Sequence, residues 1–511
     1  MAIGRTWSVS LLGLRGAVVE IEADLASGLP AFVLIGLPDA ALGEAKDRVR
    51  SAATNSGCGL PARKITVNLS PAALPKHGSG FDLGIALAAL AAADLVRADS
   101  ISRVLHLGEL GLDGRLRPVD GILPAVLSAS RAGFDTVMVP TGNADEASLV
   151  PGVRVIPVAS LRDAAIWHGG EFEPEPVEPI LRAVPTAGDG AEADLADVIG
   201  SEEAVGAMLV AAAGGHHVLL LGPPGAGKTM LASRLPTLLP DLDPDAALEV
   251  SSLRSLAGMP VGSTLSTRPP FEAPHHTATA ASLLGGGSGQ IRPGAAARAS
   301  HGVLFLDEAP EFPGSVLDGL RQPLESGTIS IHRANAVAFF PGRFQLVLAA
   351  NPCPCGQWGA KDSECTCPPH SRRRYLARLS GPLLDRIDIQ FRVHRITTAQ
   401  LRLAGEGARL TSAAARERVI AARTRTRERL AATPWTLNSH VPGSWLRGPE
   451  ARLRPAVTAS LDRSLERGGI TMRGYDRVLR LGWTLADLEG TASPTADQMT
   501  RALYLRRAIS T

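Results

Sequence analysis

The octapeptide GPPGAGKT, residues 222–229, constrains this chain more than any other feature of it. It satisfies G-x-x-x-x-G-K-[ST] at every position and lies between an apolar run, HVLLLG at 217–222, and a helical pattern. A chance glycine turn would lack that context. The motif needs a strand that hands directly on to a helix, because its backbone N–H groups and the positive end of the helix together cradle phosphate. Gly222, Pro223, Pro224, Gly225, Ala226 and Gly227 therefore form the cradle. Lys228 reaches the β- and γ-phosphates of ATP, and Thr229 is a ligand for the accompanying Mg²⁺. Lysine otherwise occurs only at 46, 64, 76 and 361 in a chain whose basic residues are nearly all arginine, which sets Lys228 apart. A nucleotide loop of this type implies an α/β fold with a parallel sheet whose strand ends form the ligand crevice.

A second apolar strand, VLFL at 303–306, delivers Asp307 and Glu308. Two carboxylates at a buried strand end are costly without a cation to pair with, and here they suit magnesium ligation by Asp307 and activation of water by Glu308. A third strand, FQLVLAA at 344–350, ends on Asn351, which can bond a γ-phosphate or the attacking water; alone, Asn-Pro would read as a turn. LSGPLLDRIDI, 379–389, sets Arg386 between apolar, strand-like residues where a guanidinium needs an anion. Two anions suit it: a carboxylate of the same chain, or the γ-phosphate of a neighbouring subunit, met as an arginine finger.

At 511 residues the chain exceeds one hydrophobic core, and about three units are expected. Residues 1–170 alternate strand-like runs (18–23, 31–35, 65–69, 104–110, 136–139) with alanine-rich helical stretches. Residues 171–195 are rich in Pro, Glu and Gly and read as a linker. The nucleotide core then spans 196–395, and 396–511 is helical in pattern. A net charge of +2 excludes a global polycation, so any nucleic-acid contact must be a local patch. The first residues lack the basic start and unbroken apolar stretch of a signal peptide. No run approaches the roughly 20 apolar residues of a membrane helix. A cytoplasmic protein with no membrane partner is expected.

Four of the five cysteines fall within fifteen residues: Cys353, Cys355, Cys365 and Cys367. Two close pairs of thiolates can hold a structural Zn²⁺ tetrahedrally, although C-x₂-C is the usual spacing; disulfides or unliganded thiols are the alternatives. With all four ligands from cysteine, the metal would staple an insertion at 353–367 rather than catalyse. Cys58 stands apart and reads as a small buried residue.

With these motifs assembled, the chain resembles the magnesium-chelatase-like AAA+ ATPases of the ComM/YifB family along nearly its whole length. The resemblance is carried by NLSPAALPKHGSGFDLGIALAAL, GELGLDGRLRPVDGILP, AAAGGHHVLLLGPPGAGKTMLASRLP, APHHTATAASLLGGG, GVLFLDEAPEF, NPCPCG, LSGPLLDRIDI and TMRGYDRVLRLGWTLADLEG. It implies a homo-oligomeric ring, a hexamer, with Asn351 as sensor 1, Arg386 acting in trans, and Arg473 as sensor 2 on a C-terminal helical lid; Arg477 is the alternative for that role. It also implies a DNA motor, for branch migration or unwinding. A protein-remodelling or chelatase-like motor without DNA is the competing reading. The N-terminal domain looks like the proteolytic domain of Lon, but ungapped alignment puts Gly80 at the serine position and Leu123 at the lysine position. Without that dyad no peptidase activity is expected, only scaffolding or DNA contact.

TISIHRANAVAFF, 328–340, reads as two short strands around a polar tip, with His332 and Arg333 as candidates for DNA phosphate contact or as part of an ordinary surface hairpin. His275 and His276 are adjacent, cannot share a helix face, and suit hydrogen bonding near the nucleotide or the following insert. The arginines of 412–430 fall on opposite helix faces, which suggests a solvated, Glu-balanced helix.

Overall fold

The computed structural model describes residues 3–36, 40–182, 193–287, 291–333, 336–358, 365–398 and 409–507. Within these residues the first unit is built on a seven-stranded sheet, ordered Ala31–Ile35, Lys64–Ser70, Arg15–Ala26, Gly4–Leu12, Leu105–His106, Thr136–Pro140, Arg154–Val158. Arg15–Ala26 runs antiparallel to both of its neighbours and the remaining pairs are parallel. Its inward residues Val19, Ile21, Ala23 and Leu25 alternate with polar ones and pack on Asp82–Ala92, a helix buried all round. The apolar run near residue 90 is thus a core helix. Among the described residues no helix is long and apolar enough to cross a membrane.

Gly4–Leu12 was not legible as a strand because its alternate inward positions are Thr6, Ser8 and Ser10, all buried. The run expected as one strand at 104–110 is broken. Gly108 gives its N–H to the Gly80 carbonyl instead of the sheet, and Glu109–Leu110 leaves to pair with Leu116–Arg117. Residues 171–182, expected as linker, have neither helix nor strand but are tied to the first unit by Arg162–Glu175 and Arg182–Asp120 ion pairs. The rest of that segment, 183–192, lies outside the described residues, as do 399–408 beyond the expected junction near 395.

The second sheet has five strands, all parallel, in the order Phe271–Glu272, Val303–Leu306, Gln345–Ala350, Val218–Leu221, Ile389–Arg392. Side-chain alternation divides the strand before the phosphate loop between two cores. Val218 and Leu220 join a cluster with the C-terminal helices, including Val478, Leu481 and Met499, while Leu219 and Leu221 face Leu304, Leu306, Leu346 and Leu348. Both faces of the sheet are therefore covered, which is what a parallel sheet requires.

The C-terminal helices Ser412–Arg429, Pro455–Glu466, Met472–Glu489 and Ala496–Arg507 pack on one another, and the first also packs on Glu202–Gly214 and Lys228–Leu238. The solvated-helix reading holds for the exposed Arg418, Arg425 and Arg427 but is corrected at Arg423 and Arg429. Arg423 donates twice to the Ala212 carbonyl, and Arg429 pairs with Asp487 at 2.6 Å. Burial lowers the Arg423 pKa to about 10.

Candidate functional site

Strand order brings the three predicted strand ends side by side, because Val218–Leu221 lies next to Gln345–Ala350, and that strand next to Val303–Leu306. The phosphate loop leaves Leu221 through Gly222, where a Cβ would lie 2.3 Å from the Val393 carbonyl oxygen, so only glycine fits. Gly225 and Gly227 take left-handed φ of +76° and +88° with nothing within 4 Å of a would-be Cβ, leaving that side open for a ligand. Lys228 opens the helix Lys228–Leu238, and its Nζ donates to the carbonyls of Gly222 (2.7 Å) and Pro223 (3.0 Å) and to Asn351 Oδ1 (3.1 Å). Burial lowers its pKa, while the charges of Asp307 and Glu308 oppose that shift. The ammonium is held by neutral oxygens that a phosphate can displace.

Thr229 Oγ1 donates to Asp307 Oδ2 at 2.7 Å, so the two expected magnesium ligands, 78 residues apart in sequence, already touch. Glu308 is exposed and takes a left-handed φ of +50°, uncommon for a residue with a side chain. Its carboxylate lies 3.2 Å from His276 Nδ1, and His276 in turn stacks on His275 at 4.0 Å between ring centroids. The histidine pair thus sits beside Glu308. Sequence spacing had suggested its neighbourhood but not its partner.

The segment around Arg386 is a correction: Gly381–Leu384 is a short helix, and the strand starts only at Ile389. Pro382 suits the first turn of that helix. Within the chain Arg386 donates to Glu325 and, at 2.5 Å, to the Pro382 carbonyl. The two lid arginines differ sharply. Thr471 caps the N-terminus of Met472–Glu489, from whose first turn Arg473 extends 74% exposed, 3.7 Å from Asp385. Arg477, one turn on, is inside and paired with Asp388, which His216 also contacts at 3.2 Å. Burial pushes the Asp388 carboxyl upward, but the Arg477 charge and the His216 hydrogen bond outweigh it and hold it well below the usual carboxylate range. A cleft of about 610 Å³ opens beside the loop through Val393, lined by Gly200–Ala204 on one side and Phe391, Arg392, His394 and Arg395 on the other. Sequence reading missed it, since no local motif marks it.

The four cysteine Sγ atoms lie within 4.8 Å of one another, with Cys353–Cys355 at 3.3 Å and Cys353–Cys365 and Cys355–Cys365 at 3.7 Å. A tetrahedral zinc thiolate with bonds of about 2.3 Å has S–S edges of about 3.8 Å, so the donor set fits Zn²⁺. No disulfide joins them. Residues 359–364 of the insertion lie outside the described residues. Cys58 is buried.

Thr328–Arg333 and Ala336–Pro341 form the expected antiparallel hairpin, and its tip, 334–335, lies outside the described residues. His332 and Arg333 are exposed beside that tip. Arg333 Nη2 is 3.4 Å from where a Gly286 Cβ would stand, so the neighbouring pair Gly285–Gly286 and Arg292–Pro293 abuts this hairpin. In the first unit, Leu123 is fully buried and Gly80 has nothing within 4 Å of a would-be Cβ. Ser79 donates to Glu109, while the buried Lys76 ammonium is taken up by the carbonyls of Gly36, Leu69 and Pro71.

A five-stranded parallel sheet with this phosphate loop, a carboxylate pair after Val303–Leu306 and a helical unit after Ile389–Arg392 defines the AAA+ class of P-loop proteins. Family models described as magnesium chelatase, subunit ChlI, as subunit ChlI of Mg-chelatase and as its C-terminal part match residues 194–401, 21–143 and 409–506. An uncharacterised protein of Mycobacterium tuberculosis is 48% identical over 513 residues, 99% of each chain. Competence protein ComM of Haemophilus influenzae is 40% identical over 510 residues, 100% of this chain and 98% of its own. YifB of Escherichia coli is 37% identical over 516 residues, 99% and 97% of the two chains. The chain belongs to the ComM/YifB family of magnesium-chelatase-like AAA+ proteins. A shorter match, 31% over 181 residues or 34% of this chain, is to Lon protease of Mycolicibacterium smegmatis.

Proposed function

We propose that this protein hydrolyses ATP in a hexameric ring and couples hydrolysis to movement on DNA, as branch migration or unwinding. The observation that carries the ATPase reading is the contact of Thr229 with Asp307 at 2.7 Å, beside Glu308 and opposite a Lys228 held by exchangeable oxygens. Lys228 moves onto the β- and γ-phosphates; Thr229 and Asp307 would hold a magnesium ion, which when bound would neutralise charge on the phosphoryl oxygens. Glu308 takes the proton of the water that attacks the γ-phosphorus, the bond to the β–γ bridging oxygen breaks, and ADP leaves. Asn351 orients that water as sensor 1. Arg473 senses the bound nucleotide from the lid, and Arg386 exchanges Glu325 for a neighbour's γ-phosphate. His332 and Arg333 contact DNA from the hairpin. The domains are 1–170, a Lon-like unit without peptidase activity; 171–195, a linker; 196–395, the ATPase core; and 396–511, the lid. A structural Zn²⁺ on the four cysteines staples the insertion, and the protein works in the cytoplasm.

The test is a steady-state ATPase rate with no DNA, single strands, duplex and a four-way junction, with Lys228→Ala as blank. Strong stimulation by junction or single strand is the expected result. Hydrolysis indifferent to every DNA would instead favour a protein-remodelling or chelatase-like motor, a reading to which the chelatase-subunit family models lend support.

A further inference from the structure

We propose that the cysteine-held loop 352–358 is a wall of the nucleotide site, so that metal on the four thiolates and nucleotide on the phosphate loop bind cooperatively; this rests on the ATP and zinc readings above. The loop is a continuous physical link between the two. It starts at Asn351, whose side chain accepts from Lys228 at 3.1 Å. Two residues on, Cys353 is fully buried. Gly356 then packs so tightly on the phosphate loop that a Cβ there would lie 2.6 Å from Pro224 Cδ and 3.9 Å from Asn351 Cγ. Gln357 accepts from Arg395 at 3.4 Å, and the Trp358 ring carries the guanidinium of Arg372 at 4.9 Å and of Arg392 at 5.7 Å. Arg392 and Arg395 line the cleft beside the phosphate loop. Within eight residues the chain therefore touches the P-loop lysine, the P-loop Pro224 ring and two cleft arginines.

Residues 352–358 form neither helix nor strand, so no ladder of backbone bonds fixes them. Ordering such a segment costs conformational entropy, a cost met in advance when the four thiolates are drawn onto one cation. A loop already in place presents Pro224, Arg392 and Arg395 to nucleotide without that further cost, which is cooperativity through preorganisation. By linkage, nucleotide must tighten metal binding by the same factor, and because it does so by holding the closed loop in place the metal leaves more slowly.

The experiment uses full-length protein with stoichiometric Zn²⁺, and the same protein stripped with 1,10-phenanthroline under reducing conditions. Titration with N-methylanthraniloyl-ADP and Mg²⁺ should give an affinity about tenfold weaker after stripping, restored by one equivalent of Zn²⁺. Conversely, zinc transfer to the chromophoric chelator 4-(2-pyridylazo)resorcinol should slow about tenfold when ADP saturates the site. The double variant Gln357→Ala, Trp358→Ala keeps every thiol and should still bind one Zn²⁺, yet reduce both effects to less than twofold. Equal nucleotide affinity with and without bound zinc, and zinc release unmoved by ADP, would overturn the coupling and leave both parent readings standing. A protein that takes up no zinc overturns the proposal together with the zinc reading. Zinc-loaded protein that binds nucleotide no better than Lys228→Ala overturns it together with the ATP reading. If stripping unfolds the chain, the release measurement on the folded, loaded protein decides by itself.

Discussion

Replacing Arg473 and Arg477 separately should divide a sensor from a structural arginine, although the two lie one helical turn apart. Arg477 is 16% exposed and pairs with an Asp388 that is 1% exposed. Arg477→Ala removes the guanidinium paired with that buried carboxylate and leaves it the His216 contact at 3.2 Å and the more distant charges of Arg480 and Arg506. Removing one partner of a buried ion pair costs about 3–5 kcal/mol, because an uncompensated charge stays behind. At about 2–4 °C per kcal/mol for a unit of 150–250 residues, Tm should fall by at least about 6 °C. Arg473 is 74% exposed and stands 3.7 Å from Asp385. An exposed pair of that length contributes little to stability, so Arg473→Ala should leave Tm within about 2 °C of the parent. Its loss should appear instead in kcat for ATP hydrolysis, about a hundredfold, as for removal of one charge-stabilising donor from a reacting phosphoryl group. Scanning calorimetry and steady-state ATPase measurements on both variants check this. A parent-like Tm with lost activity for Arg477→Ala, or parent-like activity for Arg473→Ala, would refute the assignment and make Arg477 the sensor.

Glu308→Gln keeps the shape of the site but cannot accept a proton, so it should bind nucleotide normally while kcat falls about 10²- to 10⁴-fold in the same ATPase assay. Arg333→Ala should lower DNA stimulation and flatten its salt dependence without changing the DNA-free rate, as measured by titrating junction DNA at several salt concentrations. In the first unit, Thr6, His106, His168 and Ser100 form a buried hydrogen-bonded chain through both imidazoles. Burial holds His168 at about 4 and, with the nearby His168, keeps His106 well below 6.5. Both are neutral when folded, whereas the unfolded chain protonates them below about 6.5. Their contribution is therefore complete above pH 6.5 and lost as pH falls toward 4, with His168 alone accounting for about 2 kcal/mol at pH 5. Thermal melts from pH 7.5 to 4.5 should show that decline, and His168→Gln should flatten it. Casein incubated with the protein and ATP should remain intact on a gel, since ungapped alignment with the Lon motif puts Gly80 and Leu123 in place of its serine and lysine.

The nucleotide machinery was legible in the sequence because its chemistry is local. A strand, six cradle residues and a helix follow one another in GPPGAGKT, and the carboxylates of Asp307 and Glu308 follow an apolar strand directly. Chain geometry over a few residues fixes such arrangements whatever surrounds them. The cysteine cluster was legible for the same reason, with all four thiols inside one short segment. The polar strand Gly4–Leu12 escaped because its buried face carries three hydroxyls, of which Thr6 and Ser10 find partners only about 65 to 100 positions away and Ser8 finds none among the described residues. Tertiary structure alone brought His276 to Glu308, sent Arg423 inward to Ala212, and separated Arg473 from Arg477. It also laid the cysteine loop on the phosphate loop, since Pro224 and Gly356 meet only because their two strands are sheet neighbours. Sequence spacing determines which groups one turn or one strand end can present. The partner of each group depends on strand order and helix packing, which bring residues 30 to 300 positions apart within a few ångströms of one another.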